Sequence, residues 1–150
     1  MKAVIQRCKS ALVTVEGNVA GKIDKGILVL LGVYENDTNE CAEILAKKTA
    51  NLRIFNDEED KMNLSVTDVK GSALVVSNFT LCADAKKGTR PSYSHAMKPD
   101  LANSMYEYFC KCLSEYNIPI EKGVFGAEMQ VDMCGDGPVT IVLDTDIWVK

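Results

Sequence analysis

The stretch Ile27-Leu28-Val29-Leu30-Leu31-Gly32-Val33 is continuously apolar. An apolar run of this length is typical of a strand that is buried on both faces of a sheet. A second run, Ala73-Leu74-Val75-Val76, has the same character and predicts a central strand over residues 73–78. These two segments are therefore expected to form the middle of the fold.

The residues before the first run predict three further extended segments. Residues 2–8 alternate between apolar and polar side chains, and residues 11–15 form a second short strand pattern. Glu16-Gly17-Asn18 has the composition of a hairpin turn, which leads into a strand over residues 19–23.

Two helices are expected between and after the central strands. Asp37 and Glu40 have the spacing of a capping box and predict a helix over residues 38–52. Pro99 suits the first turn of a second helix, which should end before Pro119. The apolar stripe of this second helix, predicted to face the core or another subunit, comprises Leu101, Met105, Tyr108, Phe109, Cys112 and Tyr116.

The end of the chain predicts two closing strands, over residues 129–133 and 139–143, joined by a Gly-Pro turn. The order of elements predicts an α+β domain with a largely antiparallel sheet covered by two helices. With 150 residues, the chain is expected to form one domain spanning residues 1–150.

Composition narrows the class of protein. The chain is 47% hydrophobic and 25% charged, as is ordinary for a globular protein. It has no apolar run of about 20 residues that could span a bilayer, and no signal-peptide pattern at its start. We therefore expect a cytoplasmic protein without a membrane partner.

The six cysteines are scattered, without the spacing of a metal site, and are expected to be reduced and mostly buried. The one histidine, His95, has no cluster of metal ligands around it in the sequence. We expect neither a metal nor a cofactor. A catalytic role for His95 is a minor alternative to a place on a surface loop.

The net charge of −4 is not that of a typical nucleic-acid-binding protein. Locally, however, no acid lies between Lys86 and Lys98, a segment that also holds Lys87 and Arg90. This segment is either a solvated loop or a contact for the end of an RNA, and the charge pattern alone does not decide between them.

Two motifs carry the functional prediction. One is Gly135-Asp136-Gly137-Pro138-Val139-Thr140, and the other is Ser77-Asn78-Phe79-Thr80-Leu81, which closes the central strand with hydroxyl groups. Together they resemble the paired signatures of the D-aminoacyl-tRNA (D-tyrosyl-tRNA) deacylases. The resemblance runs collinearly through most of the chain, including residues 1–7, 87–92 and 123–129.

This resemblance implies a layered α/β/β fold (two strands, two αβ units, three strands) and a homodimer. It also implies a hydrolase that cleaves the ester between a D-amino acid and the 3′ end of tRNA. Achiral glycyl-tRNA is a plausible second substrate.

The resemblance assigns roles to eight residues. Those in the catalytic segment are Ser77, Phe79 and Thr80, and those expected to line the substrate pocket are Asn78, Phe125 and Met129. Gly137 and Pro138 are expected to form a cis peptide that projects into the pocket of the other subunit and excludes L-amino acids.

Two chemical routes remain open. Thr80 could act as a covalent nucleophile, which would make the protein a hydrolase of another small ester or amide, but the sequence offers no adjacent base. Alternatively, water attacks with help from the ribose hydroxyl, and the Phe79–Thr80 backbone stabilises the oxyanion. We favour the second route. A non-catalytic dimer that binds the end of tRNA is a further alternative.

The sequence departs from the family signatures at two positions. Asn78 replaces the usual glutamine and shortens the amide side chain by one methylene. Gly135 replaces the usual asparagine and adds backbone freedom next to the Gly-Pro step. We expect activity to be retained with looser chiral selectivity.

Overall fold

The computed structural model describes residues 1–149. Its strands are β1 (Lys2–Val15), β2 (Asn18–Ile23), β3 (Gly26–Gly32), β4 (Phe55–Asn56), β5 (Met62–Leu64), β6 (Ser72–Ser77), β7 (Ile120–Lys122) and β8 (Gln130–Asp144). Its helices are α1 (Asn39–Asn51) and α2 (Pro99–Ser114), with short 3₁₀ turns at Phe79–Cys82 and Thr145–Ile147.

Six strands form one mixed sheet, in which hydrogen-bonded neighbours follow the path β2-β1-β3-β6-β7 and β8 pairs with β1 off this path. The pairs β1–β2, β1–β3 and β1–β8 are antiparallel, but β3–β6 and β6–β7 are parallel. The α+β class is confirmed, whereas the sheet is less uniformly antiparallel than expected. The reason is that α1 and α2 lie in the two crossover connections, which parallel pairing requires.

The strand β1 is one continuous element, whereas the sequence predicted two strands. Its first half pairs with β3, its second half pairs with β2, and β8 runs along its other edge. The hairpin between β1 and β2 forms as predicted, with Val15 opposite Asn18. The register shifts between Val13 and Thr14, where Ala20 of β2 is left without a partner, and a local pattern does not reveal this shift.

The capping box predicted at Asp37 is wrong. The residue at the N-cap of α1 is Thr38, and no side chain caps this helix. The Asp37 carboxylate instead accepts hydrogen bonds from the Tyr34 amide at 2.6 Å and from the Met1 amino group at 2.5 Å. This long-range contact with the start of the chain is invisible to a local motif.

The helix α2 begins at Pro99 as predicted and packs against α1. Its buried face is centred on Tyr106, Phe109 and Leu113. Leu101 was assigned to the stripe expected to face the core or another subunit, and with 62% of it exposed it is not part of the core of this chain. The buried face is rotated by about one residue from the predicted stripe. The sequence pattern therefore located the helix better than its buried face.

The main core lies between the two helices and the sheet, while a smaller cluster around Val13, Leu28 and Leu74 covers the opposite face. No helix within residues 1–149 has both the length and the apolarity that a membrane span requires.

Candidate active site

A cavity of about 620 Å³ opens where the central strand β6 ends. Five residues singled out from the sequence line it, namely Ser77, Asn78, Phe79, Phe125 and Met129. The segment that leads into α2 also lines the cavity and contributes Tyr93, Met97, Lys98 and Pro99 among others. The fold therefore brings residues 77–79 together with residues 125–129, which lie almost fifty residues later in the sequence.

The wall formed by residues 77–82 is a sharp turn at the end of a buried strand. The Asn78 amide donates to the Leu31 carbonyl at 2.8 Å, which ties the turn to β3. The next two amides, of Phe79 and Thr80, have no acceptor among the described residues, because they begin a 3₁₀ turn. Two unpaired N–H groups thus lie at the cavity wall or next to it.

The Thr80 side chain does not line the cavity. Its hydroxyl is exposed and donates to the side-chain oxygen of Asn78. Within residues 1–149, no histidine, lysine or carboxylate is hydrogen-bonded to this hydroxyl. An amide oxygen is a poor base, so the geometry provides no group that could remove the hydroxyl proton.

The rear of the cavity is apolar and firmly supported. The centroids of the Phe125 and Tyr106 rings are 6.1 Å apart. Tyr106 is itself fixed by a hydrogen bond from its hydroxyl to the Val75 carbonyl at 2.7 Å. The turn after Phe125 has Gly126 with φ +76°, a conformation that favours glycine.

The sequence predicted that Gly137 and Pro138 form a turn between two strands, but they do not. They lie within β8, in a wide bulge where residues 136–139 face the single residue Arg7. The peptide bond between them is cis. Both residues are exposed, and neither lines the cavity of its own chain.

Arg7 braces this bulge. The sequence pattern placed it only within the resembling residues 1–7 and did not predict this role. Arg7 is 8% exposed. Its Nε donates to the Asp136 carbonyl at 3.0 Å, and its Nη1 donates to the Ile54 carbonyl at 2.8 Å. The available signal was a charged residue in an otherwise alternating strand, since a buried arginine needs several acceptors.

Glycine at position 137 is required by this geometry. Its φ is +137°, and a Cβ atom would lie 2.7 Å from the Val139 backbone nitrogen. Gly135 differs, because the nearest atom to a Cβ there is Met133 Cε at 3.4 Å. A Cβ atom at position 135 would thus make an ordinary contact, so the backbone does not require glycine there.

The remaining candidates lie outside the cavity. His95 is on an exposed loop, with its Nδ1 3.3 Å from Glu35 Oε1. It lines a separate hollow of about 580 Å³. The six cysteines are free thiols, and burial raises the pKa of Cys8 to about 11, which disfavours the nucleophilic thiolate.

Comparison with solved structures supports the same fold. The chain superposes on a structure of a c-Myc DNA Unwinding Element Binding Protein with a TM-score of 0.90 and 42% identity, covering 96% of this chain and 98% of that one. A probable eukaryotic D-amino acid tRNA deacylase matches with a TM-score of 0.80 and 15% identity, covering 95% and 97% of the two chains. At that identity, the second match shows the fold alone.

Sequence comparison identifies the family. The D-aminoacyl-tRNA deacylase of Thermosipho africanus is 54% identical over 145 residues, which is 97% of each chain. That of Thermosipho melanesiensis is 55% identical over 146 residues, with the same coverage. The family model for D-Tyr-tRNA(Tyr) deacylase matches residues 4–144. The chain therefore belongs to the D-Tyr-tRNA(Tyr) deacylase family.

Proposed function

We propose that this protein is a D-aminoacyl-tRNA deacylase that hydrolyses the ester between a D-amino acid and the 3′ end of tRNA. The observation that carries this proposal is the pair of unpaired amides at Phe79 and Thr80, in a family member whose Phe79 lines a cavity. The cavity volume of about 620 Å³ lies in the range for small ligands. Release of free D-tyrosine from D-tyrosyl-tRNA tests the proposal, and absence of release would refute it.

The proposed chemistry needs no protein nucleophile. Water attacks the ester carbonyl carbon, the acyl–oxygen bond breaks, and the ribose oxygen leaves with a proton. The neighbouring ribose hydroxyl assists the proton transfer. The two amides donate to the oxyanion that forms on the carbonyl oxygen, and the cavity walls orient the ester.

Thr80→Ala tests the choice between water and a covalent nucleophile. We expect the variant to retain hydrolysis within about 10-fold, because it loses one hydrogen bond to Asn78 but keeps the Thr80 amide. Mass spectrometry of the wild-type enzyme quenched during turnover should find no acyl adduct. An adduct on Thr80, lost together with activity in the variant, would establish the nucleophile instead.

The chiral filter is proposed to act between two subunits. Gly137 and Pro138 are exposed and lie outside their own chain's cavity, so in this account they reach the cavity of a second copy. There, their carbonyls occupy the space that an L side chain needs, which rejects L-esters by steric clash. Glycine has no side chain to exclude, so glycyl-tRNA is proposed as a second substrate.

Complementation between subunits tests this arrangement. A variant altered at Gly137 and a variant altered at Phe79 should each be defective alone. Unfolded together and refolded as a mixture, they should regain D-selective hydrolysis, because a mixed dimer pairs an intact cavity with an intact bulge. The matched control is wild type refolded with the double variant. It is compared with wild type refolded alone at the same number of wild-type chains. No gain in the mixed variants would place both elements in one subunit.

Gly135→Asn is expected to raise the ratio of D-ester to L-ester hydrolysis by several-fold. A Cβ atom at this position makes no clash, and any residue other than glycine restricts the backbone next to the Gly-Pro step. Parallel deacylation of matched D- and L-tyrosyl-tRNA by the two proteins provides this ratio. An unchanged ratio would show that the glycine does not loosen the filter.

The alternative is a non-catalytic dimer that binds nucleic acid. Two observations favour testing it. One is the pair of signature departures at Asn78 and Gly135, and the other is the similarity to the 42% identical structure, which bears the name of a DNA-element-binding protein. A binding protein would retain uncharged tRNA at physiological salt and release no amino acid from any aminoacyl form.

A further inference from the structure

Four cations lie in the segment that leads into α2, and one of them, Lys98, lines the cavity. They are Lys86, Lys87, Arg90 and Lys98, and they are called the basic rim below. All four are exposed, and no acidic residue separates them along the chain. They stand out in a protein whose net charge is −4.

The basic rim is not neutralised by the protein itself. Other exposed cations form ion pairs, such as Lys122 with Glu107 at 2.8 Å and Lys61 with Glu59 at 3.6 Å. No residue of the basic rim forms an ion pair within residues 1–149. Its positive charge is therefore available to a ligand.

The loop that carries the rim is held in place. Asp84 and Ser92 exchange two backbone hydrogen bonds of 2.8 Å, which close the loop at its base. Further on, the Met97 amide donates to the Val33 carbonyl at 3.0 Å. A loop whose backbone is closed at its base loses less conformational freedom on binding a ligand than an open loop does.

The rim also has a defined position relative to the cavity. Lys98 and Tyr93 line the cavity, and the Tyr93 ring packs edge-to-face on the exposed Phe79 ring at 5.1 Å. Any polymer whose end lies beside Phe79 must leave the cavity through its mouth. Tyr93, which directly follows this loop, and Lys98 border that exit.

We propose that the basic rim binds the backbone phosphates of the tRNA nucleotides that precede the aminoacylated terminal one. This inference rests on the proposed function, which places the ester in the cavity and therefore the phosphates outside it. The rim provides affinity that is independent of sequence and dependent on salt. It explains how an acidic protein can bind a polyanion through one local patch.

The four cations are not expected to contribute equally. Lys86 lines the second hollow together with three carboxylates, those of Asp84, Asp144 and Asp146, which compete for its charge. Lys98 lines the cavity itself and is expected to contribute most. Lys87 and Arg90, in the loop, are expected to contribute more than Lys86 and less than Lys98.

The test compares two substrates that share the ester but differ in phosphates. One is D-tyrosyl-tRNA, and the other is the D-tyrosyl ester of adenosine, which has none. In the triple variant Lys87→Gln, Arg90→Gln and Lys98→Gln, we expect kcat/KM for the tRNA to fall at least about 10-fold more than for the adenosine ester. The loss should come mainly from KM.

Salt dependence provides a second readout. Between about 50 and about 200 mM KCl, the slope of log(kcat/KM) against log[KCl] should decrease by about 2 in magnitude for three lost phosphate contacts. The control variant Lys22→Gln, Lys47→Gln and Lys111→Gln makes the same charge change at exposed positions outside both hollows. Its kinetics and slope should match those of the wild type.

Equal losses on both substrates would overturn the inference, because the rim would then act on the cavity and not on phosphates. An unchanged slope, or the same loss in the control variant, would also overturn it. Melting temperatures of all variants check that they are folded.

Binding of uncharged tRNA, measured by fluorescence anisotropy, separates this inference from the proposed function. If the wild type hydrolyses neither ester but binds tRNA through the rim, the hydrolase assignment fails and the rim stands. If the wild type hydrolyses both esters while tRNA binding does not depend on the rim, the inference fails and the hydrolase assignment stands.

Discussion

Replacing Gly137 with alanine is expected to reduce hydrolysis of D-tyrosyl-tRNA by about 100-fold and to weaken discrimination against the L-ester. The added Cβ would lie 2.7 Å from the Val139 nitrogen and 2.9 Å from Val139 Cγ2, so the bulge must move. Arg7 donates a hydrogen bond to the Asp136 carbonyl and so resists a movement of the bulge. In our account, the displaced carbonyls no longer fit the partner's cavity.

Gly17→Ala is the matched control. Gly17 also has a positive φ, +79°, but a Cβ there would meet nothing within 4 Å. Gly17→Ala imposes a backbone cost of about 1 kcal/mol without a clash, whereas Gly137→Ala adds a clash at φ +137°, further from the conformations that alanine adopts. Gly17→Ala should keep the activity and selectivity of the wild type. Equal kinetic losses in the two variants would mean that Gly137 acts through general stability and not through the filter.

Replacing Phe79 with proline is expected to lower kcat by about 100-fold relative to Phe79→Ala. Both variants lose the aromatic ring, but only proline removes the backbone N–H at position 79. Phe79 is the first residue of its 3₁₀ turn, where proline is tolerated, and the preceding Asn78 has φ −141° and ψ 86°, outside the helical region. The comparison therefore isolates one proposed oxyanion donor.

Circular dichroism and thermal melting should show that the two Phe79 variants have similar stability. Single-turnover measurements then separate the chemical step from binding. Equal rates for the proline and alanine variants would exclude the Phe79 amide as a donor and leave the oxyanion to other groups.

The parts of the fold that depend on local pattern could be predicted from the sequence. Continuous apolar runs located β3 and β6 because both strands are covered on two sides. The Glu16-Gly17-Asn18 turn located the first hairpin because glycine there has φ +79°. Five residues that the resemblance singled out, Ser77, Asn78, Phe79, Phe125 and Met129, line one cavity, and their roles stay predictions.

The parts that depend on distant contacts could not be predicted. The role of Asp37 is set by the start of the chain, and β1 appears broken in the sequence because its two halves pair with different strands. The Gly-Pro step resembles a turn, yet it lies inside β8, because β1 continues on both sides of it. Arg7 as a brace became visible only when β8 was placed beside β1.

The most direct test is the purified protein's hydrolysis of D-tyrosyl-tRNA against L-tyrosyl-tRNA under identical conditions. Our account predicts rapid loss of the D-ester, with the L-ester decaying much more slowly. Equal, rapid loss of both esters would contradict the proposed filter at Gly137 and Pro138. Persistence of both would contradict the deacylase assignment itself.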